Sequence, residues 1–204
     1  MSVESGRRIG LRQRKKLAAM HTIQRVALDL FDREGYGNVT IERIAADADV
    51  SPSSVYRYFG TKERLVTWDE YDPELFALMQ SADGDVGTVF EALRGGIAEL
   101  VRAWPESEVD NVTRRMRYIL DEPDVHAAML REQHEFEVGI RHMLAPYIGA
   151  KPESLTVCVA AATTLACLTA ALYHWADAGY KDRLADVLDE AMKLAGRAVV
   201  AQVS

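Results

Sequence analysis

Ala48-Asp49-Val50-Ser51-Pro52 leaves room for nothing but a tight turn between two short helices. Upstream, Thr40 is a good N-cap, and Ile41, Ile44, Ala45 and Ala48 follow at the i, i+3, i+4, i+7 spacing of an amphipathic helix. Asp49 marks its end. Ser51 is a second N-cap, and Pro52 suits the first helical position, where no N–H is required. Two short helices joined in this way predict a helix-turn-helix.

The second of these helices separates its faces when laid out at ~100° per residue. Val55 and Phe59 share one side and must pack inward, while Ser53 and Arg57 share the opposite side. Ser54 and Tyr58 occupy one flank and Tyr56 the other. An arginine ringed by hydroxyls suits the major groove, where Arg reads guanine edges and hydroxyls bond phosphates or bases. Thr61 then caps a further helix with Lys62 in its first turn, a position the helix dipole disfavours unless a phosphate binds there. The bland alternative is an ordinary surface helix pair. Several independent signals agree on DNA binding.

Charge is divided in the same sense. Residues 1–66 carry 12 Lys and Arg against 8 Asp and Glu, whereas residues 67–204 carry 12 against 23. A small basic reader on a larger acidic body is the expected organisation. Ahead of the reader, residues 1–16 hold Arg7, Arg8, Arg12, Arg14, Lys15 and Lys16, either a solvated arm or a minor-groove contact. Ile23, Val26, Ala27, Leu30 and Phe31 form a bracing helix that Gly35 stops. A linking helix runs from Thr61 to about Asp72-Pro73, with Phe76 and Met79 continuing the apolar pattern.

The remainder reads as helices only. Stripes run from Val86 to Trp104, from Val109 to Leu120 and from Val125 to Leu144, with Pro105, Pro123 and Pro146 as stops. An uncharged helix from Glu153 to about Trp175 and a last helix from Leu184 to Ala198 follow. With 49% apolar and 27% charged residues, this is an all-α soluble protein. We expect a helix-turn-helix domain over residues 1–60 and a helical effector-binding and dimerisation domain over residues 61–204. The charge-free run 154–173 is long enough to span a membrane, but its many Ala, Thr and Cys residues favour a buried interface helix. Small faces on the last two helices suit a homodimeric bundle through residues 153–201. No apolar leader is present at the start, so a cytoplasmic location is expected.

Trp68, Tyr71, Phe90, Ile97, Trp104, Met116, Met129 and Phe136 are core residues by default, although side chains of this kind also line an apolar small-molecule cavity. Gln133 stands where the third stripe calls for an apolar residue, so its amide needs a partner: a neighbouring helix or a ligand. Enzyme signatures are absent. His126, His134 and His142 recur every eight residues and drift ~80° around the helix each time, so they cannot share one metal. Cys158 and Cys167, nine residues apart on one helix, are too distant to bridge. No cofactor or metal is expected.

Residues 40–65 resemble the DNA-binding domain of the tetracycline-repressor (TetR) family of bacterial regulators. The residues that carry the likeness are Thr40, Ile44, Ala45, Ala48, Val50, Ser51, Tyr56, Tyr58, Phe59, Lys62, Glu63 and Leu65. Asp49 stands where the family has a turn glycine. The resemblance implies that Thr40, Ser51, Tyr56, Tyr58 and Lys62 hold phosphates, and that Ser53, Ser54 and Arg57 read sequence in double-stranded operator DNA. Trp68 to Pro73, the Arg114–Arg117 run before Glu122-Pro123 and the late Ala-rich helix are similar to an actinobacterial branch of that family described as binding acyl-CoA-like ligands. Arg94, Arg114, Arg115, Arg117 and Arg131 would supply cations for such a ligand's phosphates, although each is more often a surface arginine. The resulting expectation is a one-component repressor released from its operator by a small apolar or acyl-bearing effector. The alternative is a ligand-independent DNA-binding dimer.

Overall fold

The computed structural model describes residues 11–68 and 84–203, all helix and connecting turns. The chain divides into two compact units, Met1–Glu70 and Tyr71–Ser204.

In the first unit α1 (Leu11–Glu34) packs against α2 (Ile41–Asp47), with α3 (Pro52–Phe59) and α4 (Arg64–Thr67) completing the fold. The core is built from Ile23, Ala27, Leu28, Leu30 and Phe31 of α1 with Ile44, Ala45, Val55, Phe59, Leu65 and Val66, all buried. Arg12, Arg14, Lys15 and Lys16, expected in an arm, belong to the exposed first turns of α1. Beyond Gly10 no glycine or proline interrupts these good helix formers, so the helix propagates through them. Gly35 at φ 83 ends α1, its N–H donating to the Phe31 carbonyl at 2.8 Å.

The α2–α3 turn explains Asp49. Val50 N–H donates to the Ala45 carbonyl at 2.9 Å and Asp49 N–H to Ala46 at 3.3 Å, with Asp49 at φ 53. That is a Schellman closure with aspartate in the left-handed position that glycine usually fills. Thr40 and Ser51 cap their helices as expected, accepting from Arg43 N–H and Ser54 N–H.

The linking helix departs from expectation. Thr61 Oγ1 accepts from Arg64 N–H at 3.4 Å, but residues 61–63 form a turn, and α4 spans only Arg64–Thr67 before Trp68 turns extended at ψ 127. Gln24, buried in α1, provides the reason. Its Nε2 donates to the carbonyls of Leu65 at 3.0 Å and Trp68 at 2.9 Å, taking the place of N–H donors that a continuing helix would have supplied. Asp72, Pro73, Phe76 and Met79 lie outside the described residues.

In the second unit the described helices are α5 (Val86–Arg102), α6 (Glu106–Asp121), α7 (Pro123–Ile148), α8 (Leu155–Asp177) and α9 (Leu184–Val203). α9 lies between α5 and α8, and α7 packs on α6 and α8. Asp85 caps α5, its carboxylate accepting from Thr88 N–H and Oγ1, both at 2.8 Å. Gly196 permits the α5–α9 approach, since a Cβ there would lie 3.1 Å from Phe90 Cβ. The α8–α9 turn carries Tyr180 at φ 60, clamped by the Trp175 ring at 4.9 Å and the Arg117 guanidinium at 5.5 Å.

Candidate nucleic-acid interface

α3 is anchored by Val55 and Phe59, both buried, and this fixes what its other side presents. Ser51, Ser53, Tyr56 and Arg57 are exposed, with Ser54 and Tyr58 half-buried on one flank. Tyr56 is 50% exposed, an aromatic ring held out from the core that would otherwise take it. The hydroxyls are not scattered. Ser51 Oγ lies 2.8 Å from Ser53 Oγ and 2.9 Å from Ser54 Oγ, and Arg57 Nη2 donates to Ser54 Oγ and to Tyr58 Oη, each at 3.3 Å. Arg57 Cζ lies 4.9 Å from the Tyr58 ring centroid. The face therefore offers one guanidinium, a phenol and a row of hydroxyls, the donor set that base edges and phosphates accept.

Thr40, at the other end of the helix pair, is exposed with its Oγ1 accepting from Arg43 N–H at 3.2 Å. Lys62 behaves differently from the expectation of a helix-start lysine. It precedes α4, and its ammonium donates to the Tyr36 carbonyl and lies 4.1 Å from the Tyr36 ring centroid. Tyr36 Oη meets Glu63 at 3.5 Å, so the α3–α4 turn grips Tyr36 at both ends. A lysine provides three donors, and the carbonyl takes one of them. Tyr36 and Gln24 are structural members that sequence reasoning missed. The available signal for Gln24 was an amide beside Ile23 in the otherwise apolar stripe.

Residues expected on the effector side divide between the units. Trp68 belongs to the first unit, its ring edge-on to Phe59 at 5.7 Å and to His21 at 5.3 Å, so it packs behind the reading helix. Tyr71 lies outside the described residues. Phe90, Ile97 and Met116 are buried in the core of the second unit, and Trp104 is half-buried. Met129, Gln133 and Phe136 follow one edge of α7 and are all half-buried. No residue between Ala128 and Ile140 is fully buried, an incompletely covered stretch in the middle of a long helix. Gln133 Nε2 donates to Thr169 Oγ1 of α8 at 3.2 Å.

Two of the described grooves lie elsewhere. One of about 680 Å³ runs between α5 and α9 past Phe90, Arg94 and Arg197, and one of about 540 Å³ lies between α8 and α9 past Cys167, His174 and Leu194. Of the expected lining residues only Phe90 borders either groove. Of the expected phosphate-binding cations, Arg94 is held by Asp189 at 2.7 Å and Glu91 at 2.8 Å, Arg114, Arg115 and Arg117 share α6 with Arg115 buried and Arg117 over the Tyr180 ring, and Arg131 is exposed. Cys158 and Cys167 are free thiols, with burial pushing the Cys167 thiol up. No group of residues suited to a metal occurs among the described residues.

A four-helix unit with a capped, polar-faced second short helix, joined to a larger helical body, defines a helix-turn-helix transcriptional regulator. Residues 23–67 match the family of bacterial regulatory proteins, tetR family, and residues 87–199 match the MftR C-terminal domain. The chain belongs to the TetR family of regulators. It is 26% identical over 165 residues to MftR of Mycobacterium tuberculosis, which carries the name of a mycofactocin biosynthesis transcriptional regulator, covering 79% of this chain and 82% of that protein. It is 27% identical over 143 residues to the HTH-type transcriptional regulator TcmR of Streptomyces glaucescens, covering 67% of this chain and 63% of that one. Among solved structures, the TetR-family repressor FadR of Thermus thermophilus, in complex with lauroyl-CoA, shares the fold. Its TM-score is 0.51 at 22% identity, covering 86% of this chain and 92% of that one.

Proposed function

We propose that the protein is a homodimeric repressor that binds operator DNA through α3 and leaves it when an apolar or acyl-bearing effector occupies the second unit. The observation that carries the DNA reading is the exposed set Ser53, Tyr56 and Arg57 on a helix whose opposite side is fully buried. Arg57 and the serines beside it are assigned to base edges. Thr40, Ser51, Tyr56, Tyr58 and Lys62 are assigned to the phosphate backbone.

Dimerisation is assigned to residues 153–201. Leu155, Val159, Ala162, Ala166, Ala170 and His174 recur along one side of α8 and are exposed in the single chain. α8 is long and apolar enough to cross a membrane, with only 28% of its most apolar window buried. Its other side, with Val157, Ala160, Ala161, Thr164, Ala171 and Trp175, is buried in the protomer, which supports a second copy rather than lipid as the cover. A cytoplasmic location accords with this reading.

The effector class rests on the family resemblance, on an acyl-CoA complex of a protein with the same fold, and on the half-covered edge Met129, Gln133 and Phe136. An effector acts only if it binds the DNA-competent and DNA-incompetent dimers with different affinity. The test is a melting and DNA-release screen of the purified chain with acyl-CoAs and fatty acids of graded length. A hit that raises the melting temperature and releases operator supports the reading, and a screen with neither effect counts against an acyl effector.

A further inference from the structure

We infer that Gln24 is a positioning residue for operator spacing: by clamping the point where the chain leaves the reader, it restricts the half-site separations that a dimer can span. This rests on the reading of the protein as a dimer that binds DNA through α3. Trp68, shortly before the first unit ends at Glu70, gathers the contacts that matter. Gln24 is only 2% exposed, and its Nε2 donates to the Trp68 carbonyl at 2.9 Å and to the Leu65 carbonyl at 3.0 Å. The Trp68 N–H donates to the Arg64 carbonyl at 3.1 Å. Its ring stands edge-on to Phe59 at 5.7 Å and to His21 at 5.3 Å.

Trp68 is thus held at its N–H, its carbonyl and its ring, in each case by residues of the reader. Two of the grips come from one face of α1, since His21 and Gln24 stand at i and i+3. Another comes from α3 itself, because Phe59 is its last residue and is buried. The last turn of a helix ordinarily frays, its final carbonyls having no N–H partners within the helix. An amide nitrogen carries two protons, so Gln24 can serve both carbonyls at once. The exit backbone, at φ −61 and ψ 127, is thereby tied to the reading helix. With a loose exit, each reader of a dimer could seat on its half-site over a range of separations. A fixed exit removes that freedom, so an operator of the wrong spacing loses binding that its bases alone would give. Gln24 therefore acts on operator choice from behind α3, without touching DNA.

The test takes the operator selected by the full-length protein from randomised duplexes and rebuilds it with the half-sites one or two base pairs closer or further apart. Affinities of wild type, Gln24→Met, Trp68→Phe and Ile44→Val are measured on each duplex. Methionine keeps the length of glutamine and removes both donors. Gln24→Met is expected to lessen the penalty for wrong spacing about three- to tenfold, the range of one hydrogen bond, with base preference inside each half-site unchanged. Trp68→Phe, which trims the ring and keeps the backbone clamp, should lessen it by a smaller factor. Ile44→Val thins the buried core at α2 and should leave the penalty as it is. A wild type indifferent to spacing, a Gln24→Met protein with an undiminished penalty, or an equal relaxation in Ile44→Val would each overturn the inference while leaving the dimeric reader standing. Selection of a single unpaired half-site would overturn both. Amide exchange of the unmutated protein tests the clamp even if Gln24→Met fails to fold. The Trp68 N–H should be protected like the core of α1, and exchange at the rate of an open turn would overturn the inference.

Discussion

Single residues decide what α3 can read and how firmly its turn is held. Arg57→Ala should cost ~1–3 kcal/mol on the selected operator and relax one base pair per half-site, measured by titration against single-base variants. Lys62 raises a different question, because its ammonium already serves the Tyr36 carbonyl. If it also meets a phosphate, Lys62→Ala weakens all sequences alike and lowers the salt slope by roughly one per protomer. An unchanged slope with a lower melting temperature would reduce Lys62 to a brace for Tyr36. Asp49 at φ 53 holds a conformation that costs most non-glycine residues ~1–2 kcal/mol and aspartate less. Asp49→Gly should therefore raise stability by about 0.5 kcal/mol in urea titrations, with the Val50–Ala45 bond retained. The capped start of each reading helix was legible in sequence because Thr40, Ser51 and Pro52 act within four residues of themselves. Gln24 was not, because its partners lie more than forty residues away at Leu65 and Trp68.

At the scale of elements, α8 and the start of α5 carry the clearest consequences. Val159 and Ala166 lie on the exposed side of α8, so Val159→Glu or Ala166→Glu leaves the protomer core intact and should halve the mass seen in sedimentation. Two variants that still sediment as dimers would place the interface elsewhere. Leu188 is no substitute for this purpose: it is only 8% exposed within its own chain, so Leu188→Glu tests folding. The Asp85 cap gives a pH dependence of definite sign. Bonds from Thr88 N–H and hydroxyl hold the carboxylate below the usual aspartate range. A depressed folded pKa contributes stability at neutral pH that disappears as pH falls below about 4. Asp85→Asn should therefore narrow the difference in melting temperature between pH 7 and pH 3, and an unchanged difference would remove Asp85 from the acid response. Helix periodicity made the stripes of α5 and α9 legible. The extent of α4 was not, since a carbonyl clamp by a distant glutamine leaves no periodic trace.

For the molecule as a whole, the structure divides the chain into two compact units at Glu70 and Tyr71. Fold class was legible because all-helical patterning and a double N-cap are local signals. The effector side was less so: Phe90, Ile97 and Met116 satisfy a core as well as a cavity, and apolar pattern cannot separate the two. Trp68 illustrates the same limit, since its ring joins Phe59 and His21 in the reader rather than the effector side. The central claim, a dimeric reader that uses α3, is met most directly by selecting randomised duplex DNA with the full-length protein and repeating the selection with Arg57→Ala. Such a reader should select an inverted-repeat motif whose half-sites lie one helical turn or a multiple of it apart, bound with a steep salt dependence, and losing one base preference per half-site in the variant. Enrichment of no motif, or of the same motif with undiminished preference by Arg57→Ala, would contradict it.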